Sequence, residues 1–235
     1  MSLQPSLGHA EAYLNVNLTR IGHSHFSRPT GPFVTISRES GSGGSTFADA
    51  LAQALQAELP GEAPWTVFDR NLVETMLQSW HLSPRIAQFL PENRVSEIDA
   101  SIGELIGLHP NLWNLIERTN EMMRELARNG HVILVGRGAN CATAAIEHGL
   151  HLRLVGPAEY RAARTADALS VTAEEAAAHN AHTDGARRSY VRSVFQTEID
   201  RASHYDLVIN VARFPTEQIV SLVVAALRSR VAATV

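Results

Sequence analysis

Phe33-Val34-Thr35-Ile36-Ser37-Arg38-Glu39-Ser40-Gly41-Ser42-Gly43-Gly44-Ser45-Thr46-Phe47 is the stretch on which the fold turns. Phe33 to Ser37 is a β-rich run, a glycine cluster follows, and apolar residues then recur at helical spacing from Phe47 to Leu55. A strand, a glycine loop and a helix in that order bring backbone N–H groups and the positive end of a helix dipole to one sheet edge, which suits a phosphate. Against the Walker pattern G-x-x-x-x-G-K-[ST], Gly43 fills the second glycine, Gly44 stands at the lysine and Arg38 at the first glycine. Gly41, Ser42, Gly43, Gly44, Ser45 and Thr46 form the candidate phosphate cradle. Ser45, at the motif position, or Thr46 would offer a hydroxyl to magnesium. The alternative is a glycine-rich turn that serves packing alone. If the loop holds polyphosphate, its positive charge must come from Arg38 or another arginine.

That restriction follows from composition. The 20 basic residues are all arginines, so a Schiff-base lysine is impossible and any cation in a site is a planar guanidinium suited to phosphate oxygens. The 235 residues are 45% hydrophobic with a net charge of −4, which fits a globular protein and speaks against a general nucleic-acid binder. Lone Cys141 excludes an internal disulfide and a cysteine-ligated zinc. No stretch approaches the roughly 18 apolar residues of a membrane span, and no secretory leader pattern opens the chain, so a cytoplasmic location is expected.

Outward from the loop, residues 1–31 read as an N-terminal arm and 32–235 as one domain. Thr66-Val67-Phe68-Asp69 is a second strand feeding a helix through Asn71, Leu72, Val73, Met76 and Leu77. About 84–129 reads as a helical insertion, with Leu112, Leu115, Ile116, Thr119, Met123 and Leu126 on one amphipathic helix. His131 to Val135 is a third strand, buried on both faces, ending in Gly136-Arg137-Gly138 before an alanine-rich helix. Leu150 to Val155 is a fourth strand, with Pro157 opening a helix through Arg164. About 170–203 is helical, with Thr172 and Glu175 spaced as a capping box. Asp206 to Asn210 is a fifth strand and Pro215 to Val231 a closing helix. Strands alternating with helices argue for a parallel sheet covered on both faces.

Ile36-Ser37-Arg38-Glu39 running into Gly41-Ser42-Gly43-Gly44, then Phe68-Asp69-Arg70, Val135-Gly136-Arg137-Gly138-Ala139-Asn140, Thr183-Asp184-Gly185-Ala186-Arg187-Arg188 and Tyr205-Asp206-Leu207-Val208-Ile209-Asn210 follow one another in a telling order. Over about residues 32–230 that order resembles the cytidylate kinase-like family of P-loop proteins. The resemblance implies a three-layer α/β P-loop NTPase fold with a five-stranded parallel sheet, a helical acceptor-binding insertion and a helical lid at about 170–203. It implies a nucleoside monophosphate kinase-like phosphotransferase that uses ATP and Mg2+ and moves the γ-phosphoryl group to a nucleotide such as CMP. The family's loop commonly lacks the Walker lysine, and members usually carry a basic residue just after the glycines, where this chain has Ser45.

On the same resemblance Arg137 would hold the acceptor's phosphate, and Arg187 and Arg188 would close from the lid over the donor and transferring phosphates. Arg161 and Arg164 fall where related kinases open the lid, with plain surface placement as the alternative for them and for Arg137. For Arg187 and Arg188 the plain alternative is a solvated helical face carrying an Asp–Arg pair at i,i+4 spacing. Asp69, at the end of a strand, could accept the acceptor hydroxyl's proton, hold magnesium through water, or cap the next helix. Arg70 could contact the acceptor phosphate or pair with a neighbouring carboxylate. The candidate catalytic set is thus Arg38, Asp69, Arg187 and Arg188, and Arg70, Arg137 and Asp184 are the candidate substrate ligands. The rival readings are a non-catalytic nucleotide-binding or regulatory module and a kinase for another small acceptor. The apolar patches of the insertion and the arm could serve a homodimer.

Overall fold

The computed structural model describes residues 31–61, 63–69 and 110–232. Its elements run β1 (Phe33–Arg38), α1 (Gly44–Glu58), β2 (Thr66–Phe68), α2 (Pro110–Asn129), β3 (Val132–Val135), α3 (Ala139–Ala142), β4 (Gly149–Val155), α4 (Ala158–Leu169), α5 (Ala173–Phe195), a 3-10 turn (Ala202–His204), β5 (Leu207–Asn210) and α6 (Thr216–Ala232). The arm, Arg70, the helix through Leu77 and the insertion before residue 110 lie outside the described residues.

All five strands pair in parallel in the order β2-β3-β1-β4-β5. Alternation along β1 divides the core. Val34 and Ile36 face one side, where Leu51 and Leu55 of α1 and Ile219, Val223 and Leu227 of α6 meet them. Phe33 faces the other, with Phe68, Val132, Leu134 and the α2 residues Met123 and Leu126. Both faces are therefore covered, as a parallel sheet requires.

On that second face the pattern turns polar toward the C-terminal edge. β1 and β4 are in register as Phe33↔Gly149, Thr35↔His151 and Ser37↔Arg153. Thr35 Oγ1 lies 2.8 Å from His151 Nδ1, and Arg153 Nη1 donates to Ser37 Oγ at 2.9 Å. Arg153 is only 5% exposed. A buried guanidinium is tolerated only when paired, and here its Nη2 reaches Asp200 while Tyr205 presents its ring face 5.7 Å away.

Two expectations need correction. The alanine-rich helix after Gly138 is a single turn, because the Thr143 hydroxyl donates to the Ala139 carbonyl at 2.7 Å and the helix gives way to turns there. The helix after β4 runs on past Arg164 to Leu169 and is closed by Ser170 in the left-handed conformation. The Thr172–Glu175 capping box at the start of α5 forms as its spacing predicts.

Candidate functional site

The crevice opens where the connections leaving β1 and β3 diverge, at the C-terminal ends of the strands, the usual ligand position in an open α/β sheet. There the glycine loop leads into α1 from Gly43, which holds φ +80°. Among the described residues no side chain caps α1 and no acidic residue lies in its first turn, a helix start that suits an anion. Ser45 and Thr46 are exposed on that first turn.

The missing lysine has a steric counterpart. A Cβ on Gly44 would stand 2.9 Å from Arg38 Cγ, so the stem of Arg38 occupies the path a lysine at this position would take. Arg38 Nη2 is 3.6 Å from Asp69 Oδ1, and Ser45 Oγ donates to Asp69 Oδ2 at 2.6 Å. Asp69 therefore joins strand β2 to the loop. Partial burial, and then the neighbouring Asp69 carboxylate, push the Asp49 carboxyl upward. Two carboxylates beside a hydroxyl are hard oxygen donors that fit magnesium, an ion that takes its remaining ligands from phosphates and water. Among the described residues no group of three or more histidines, cysteines and acids could hold a metal alone.

Beside the loop lies a pocket whose wall includes Ser37, Arg38, Arg137, Asn140, Arg187 and Tyr190, with Ile199 closing it. Three candidate arginines from β1, the β3–α3 turn and α5 thus converge. Gly136, Arg137 and Gly138 all have positive φ, of 81°, 54° and 64°. For arginine that conformation costs on the order of 1 kcal/mol. Gly138 is required there, because the Phe195 ring fills the space of any Cβ.

The candidate residues of α5 divide. Arg187 Nη1 donates to the Arg38 carbonyl at 3.2 Å and lies 3.5 Å from Asp184 Oδ1, an i,i+3 pair in place of the anticipated i,i+4 one. Arg188 instead turns to Asp200, 3.3 Å away, and is absent from the pocket wall. Asp184 faces the loop: its Oδ1 accepts from Ser40 N–H at 2.7 Å and its Oδ2 from Arg161 Nη1 at 2.9 Å. Arg161 also donates to the Ser40 carbonyl at 2.8 Å and lies 3.2 Å from Glu39 Oε2. The exposed Arg164 guanidinium lies where a Cβ on Gly43 would be.

Arg153 and Ser37 were not singled out by sequence reasoning. Their signal was the alternation in His151-Leu152-Arg153-Leu154, which puts a charge on a strand face otherwise expected to be apolar. Tyr205 Oη donates to the Ile199 carbonyl at 2.7 Å and lies 3.3 Å from Ser37 Oγ, so one network ties the pocket wall to β1. Burial raises the Tyr205 hydroxyl above its ordinary pKa, although its contacts with Ser37 and Arg153 act in the opposite direction. Cys141 is partly buried against Tyr190, Val191 and Ile199, and burial pushes its thiol up to about 11.

A five-stranded parallel sheet with helices on both faces and a glycine loop after β1 has the architecture of a kinase-like P-loop fold. The model of the cytidylate kinase-like family matches residues 33–213, and the chain belongs to that family. No curated protein matches it in sequence. Among solved structures it is similar to an uncharacterised protein from Eubacterium ventriosum, at TM-score 0.63 and 16% identity over 85% of this chain and 100% of that one. It also matches a gluconokinase from Sinorhizobium meliloti at TM-score 0.46 and 15% identity, covering 86% of this chain and 94% of that one. A shikimate kinase from Bacteroides thetaiotaomicron matches at 0.44 and 16%, with 84% and 98% covered.

Proposed function

We propose that this protein transfers the γ-phosphoryl group of ATP to a small phosphorylated acceptor, a nucleoside monophosphate such as CMP. The observation that carries this reading is the convergence of Arg38, Arg137 and Arg187 on one pocket beside the glycine loop. Phosphoryl transfer asks a protein for positioning and positive charge around the moving group, and a neutral acceptor would give three guanidiniums little to bind.

In this reading the N–H groups of residues 41–46 cradle the donor phosphates and Arg38 stands in for the lysine. Arg137 fixes the acceptor's phosphate by a bidentate grip. Arg187, in the same pocket wall, would meet the charge that moves. Magnesium, when bound, would neutralise charge between the phosphates, held by Ser45 and Asp69 with Thr46 adjacent. Asp69, bonded to Ser45 at the loop, would also receive a proton from the acceptor. Asp184 and Arg188, engaged with the loop and with Asp200, act on position and not on the reacting atoms.

The test is coupled ADP release with ATP and magnesium across nucleoside monophosphates, other phosphorylated metabolites and unphosphorylated sugar acids. Release that depends on a nucleoside monophosphate is expected. Release only with an unphosphorylated acceptor would move the chain to another kinase activity. Tight ATP binding with no acceptor-dependent release would make it a nucleotide-binding module.

A further inference from the structure

The glycine loop already holds an anion, and that anion is part of the chain. Asp184 Oδ1 accepts the Ser40 N–H at 2.7 Å, its Oδ2 accepts Arg161 Nη1 at 2.9 Å, and Arg187 Nη1 stands 3.5 Å from Oδ1. The carboxylate is 8% exposed and the two arginines 12% and 13%. A main-chain amide with two guanidiniums, sheltered from water, is the donor set that binds a phosphate oxygen.

We propose that Ser40 N–H, Arg161 and Arg187 form a subsite for a terminal phosphate group, and that Asp184 is its built-in competitor, displaced when the phosphate arrives. The inference rests on the phosphate-binding reading of the glycine loop. What it adds to that reading is the carboxylate that must leave before the phosphate can enter.

Two further features of α5 point to a second arrangement. The Thr183 Oγ1 and Asn180 Nδ2 atoms are buried with no hydrogen-bond partner among the described residues, although their residues are only 3% and 4% exposed. Buried polar atoms are almost always satisfied, so the α4–α5 contact in this state carries a cost. Directly after Asp184 comes Gly185, inside the helix, where a Cβ would meet nothing within 4 Å. No packing demand excludes a side chain there. Glycine is the poorest helix former short of proline, so its effect is to leave the helix pliable beside the carboxylate. A phosphate carries more charge and more acceptor oxygens than a carboxylate. It can therefore take over both guanidiniums and the amide, leaving Asp184 to swing out about the glycine.

The experiment is calorimetric titration of the full chain with sodium pyrophosphate, in wild type and D184N. Asparagine keeps an oxygen for the Ser40 amide and removes one of the two carboxylates set against the ligand, Glu39 beside Arg161 being the other, so at least tenfold tighter binding is expected in D184N. Wild-type binding with D184N equal or weaker would overturn the competitor and leave the phosphate-loop reading standing. Binding by neither protein would overturn both. Should D184N not fold, hydrogen exchange on wild type decides: saturating pyrophosphate is expected to speed exchange in residues 180–188 severalfold while slowing it in the glycine loop. Unchanged or slower exchange in 180–188 would overturn the displacement.

Discussion

Removing Asp200 should cost far more stability than removing the arginine it neutralises. Arg153 and Asp200 form an ion pair whose side chains are 6% and 57% exposed. D200A strands the guanidinium inside the sheet with the Ser37 hydroxyl and the Tyr205 ring as its remaining contacts on that side. A buried charge deprived of its partner costs about 3–5 kcal/mol, and the exposure of Asp200, which lets water reach that end of the guanidinium, puts this case at about the lower limit. R153M removes that charge, lets Asp200 return to water and to Arg188, and leaves Ser37 and Tyr205 in contact. Its cost is about 0–2 kcal/mol, the value of a lost charge-assisted hydrogen bond offset by an apolar side chain of similar length. The gap of about 1–3 kcal/mol is at least roughly fivefold in the unfolding equilibrium. Urea unfolding followed by circular dichroism measures it. The double variant should recover most of the loss seen in D200A, because the stranded charge is gone. If R153M is as damaging as D200A, or if the double variant is worse than both, the buried-charge account is wrong.

Four other outcomes are expected. R137A should raise the acceptor KM at least tenfold in the ADP-release assay while the melting temperature stays nearly constant, and unchanged kinetics would remove Arg137 from the site. G43A should lose on the order of 1 kcal/mol by thermal melting, since alanine is strained at φ +80°, and should bind pyrophosphate more weakly. Cys141, its thiol pushed up to about 11, should resist iodoacetamide at pH 7.5 in the folded protein and react once unfolded. Burial lowers the His151 pKa, with Arg230 acting in the same direction and Asp206 opposing, so the fold favours the neutral ring. The stability this confers is complete above the ordinary histidine pKa of about 6.5 and is lost as pH falls below it. Urea midpoints should therefore drop between pH 7 and 5.5, and less steeply in H151Q.

The sheet was readable because each strand is a short apolar run followed by a turn signal and a helical pattern, and a parallel connection leaves few alternatives. Ends shifted by a residue or so: β4 begins at Gly149 instead of Leu150, and β5 at Leu207 instead of Asp206. The Asp206 carboxylate is occupied instead by Arg230 and the His151 N–H. Burial raises its pKa, but these hydrogen bonds and the nearby charges outweigh that and lower it overall. Within the site, Arg38, Arg137 and Arg187 could be anticipated because each sits at a strand end or in a motif. The opposite behaviour of neighbours Arg187 and Arg188 could not. Successive residues on a helix point about 100° apart, and which of the two meets the loop depends on how α5 lies against it. Asp184 shows the same limit. Its spacing from Arg187 was visible, but its main partners, Ser40 and Arg161, come from 144 and 23 residues away.

The all-guanidinium wall of the pocket bears on how this protein can be controlled. A guanidinium cannot be silenced by the acetyl donors that act on lysine, and it does not surrender its proton in any medium where the chain stays folded. The positive charge of that wall is therefore constant, and only the anions that meet it can vary.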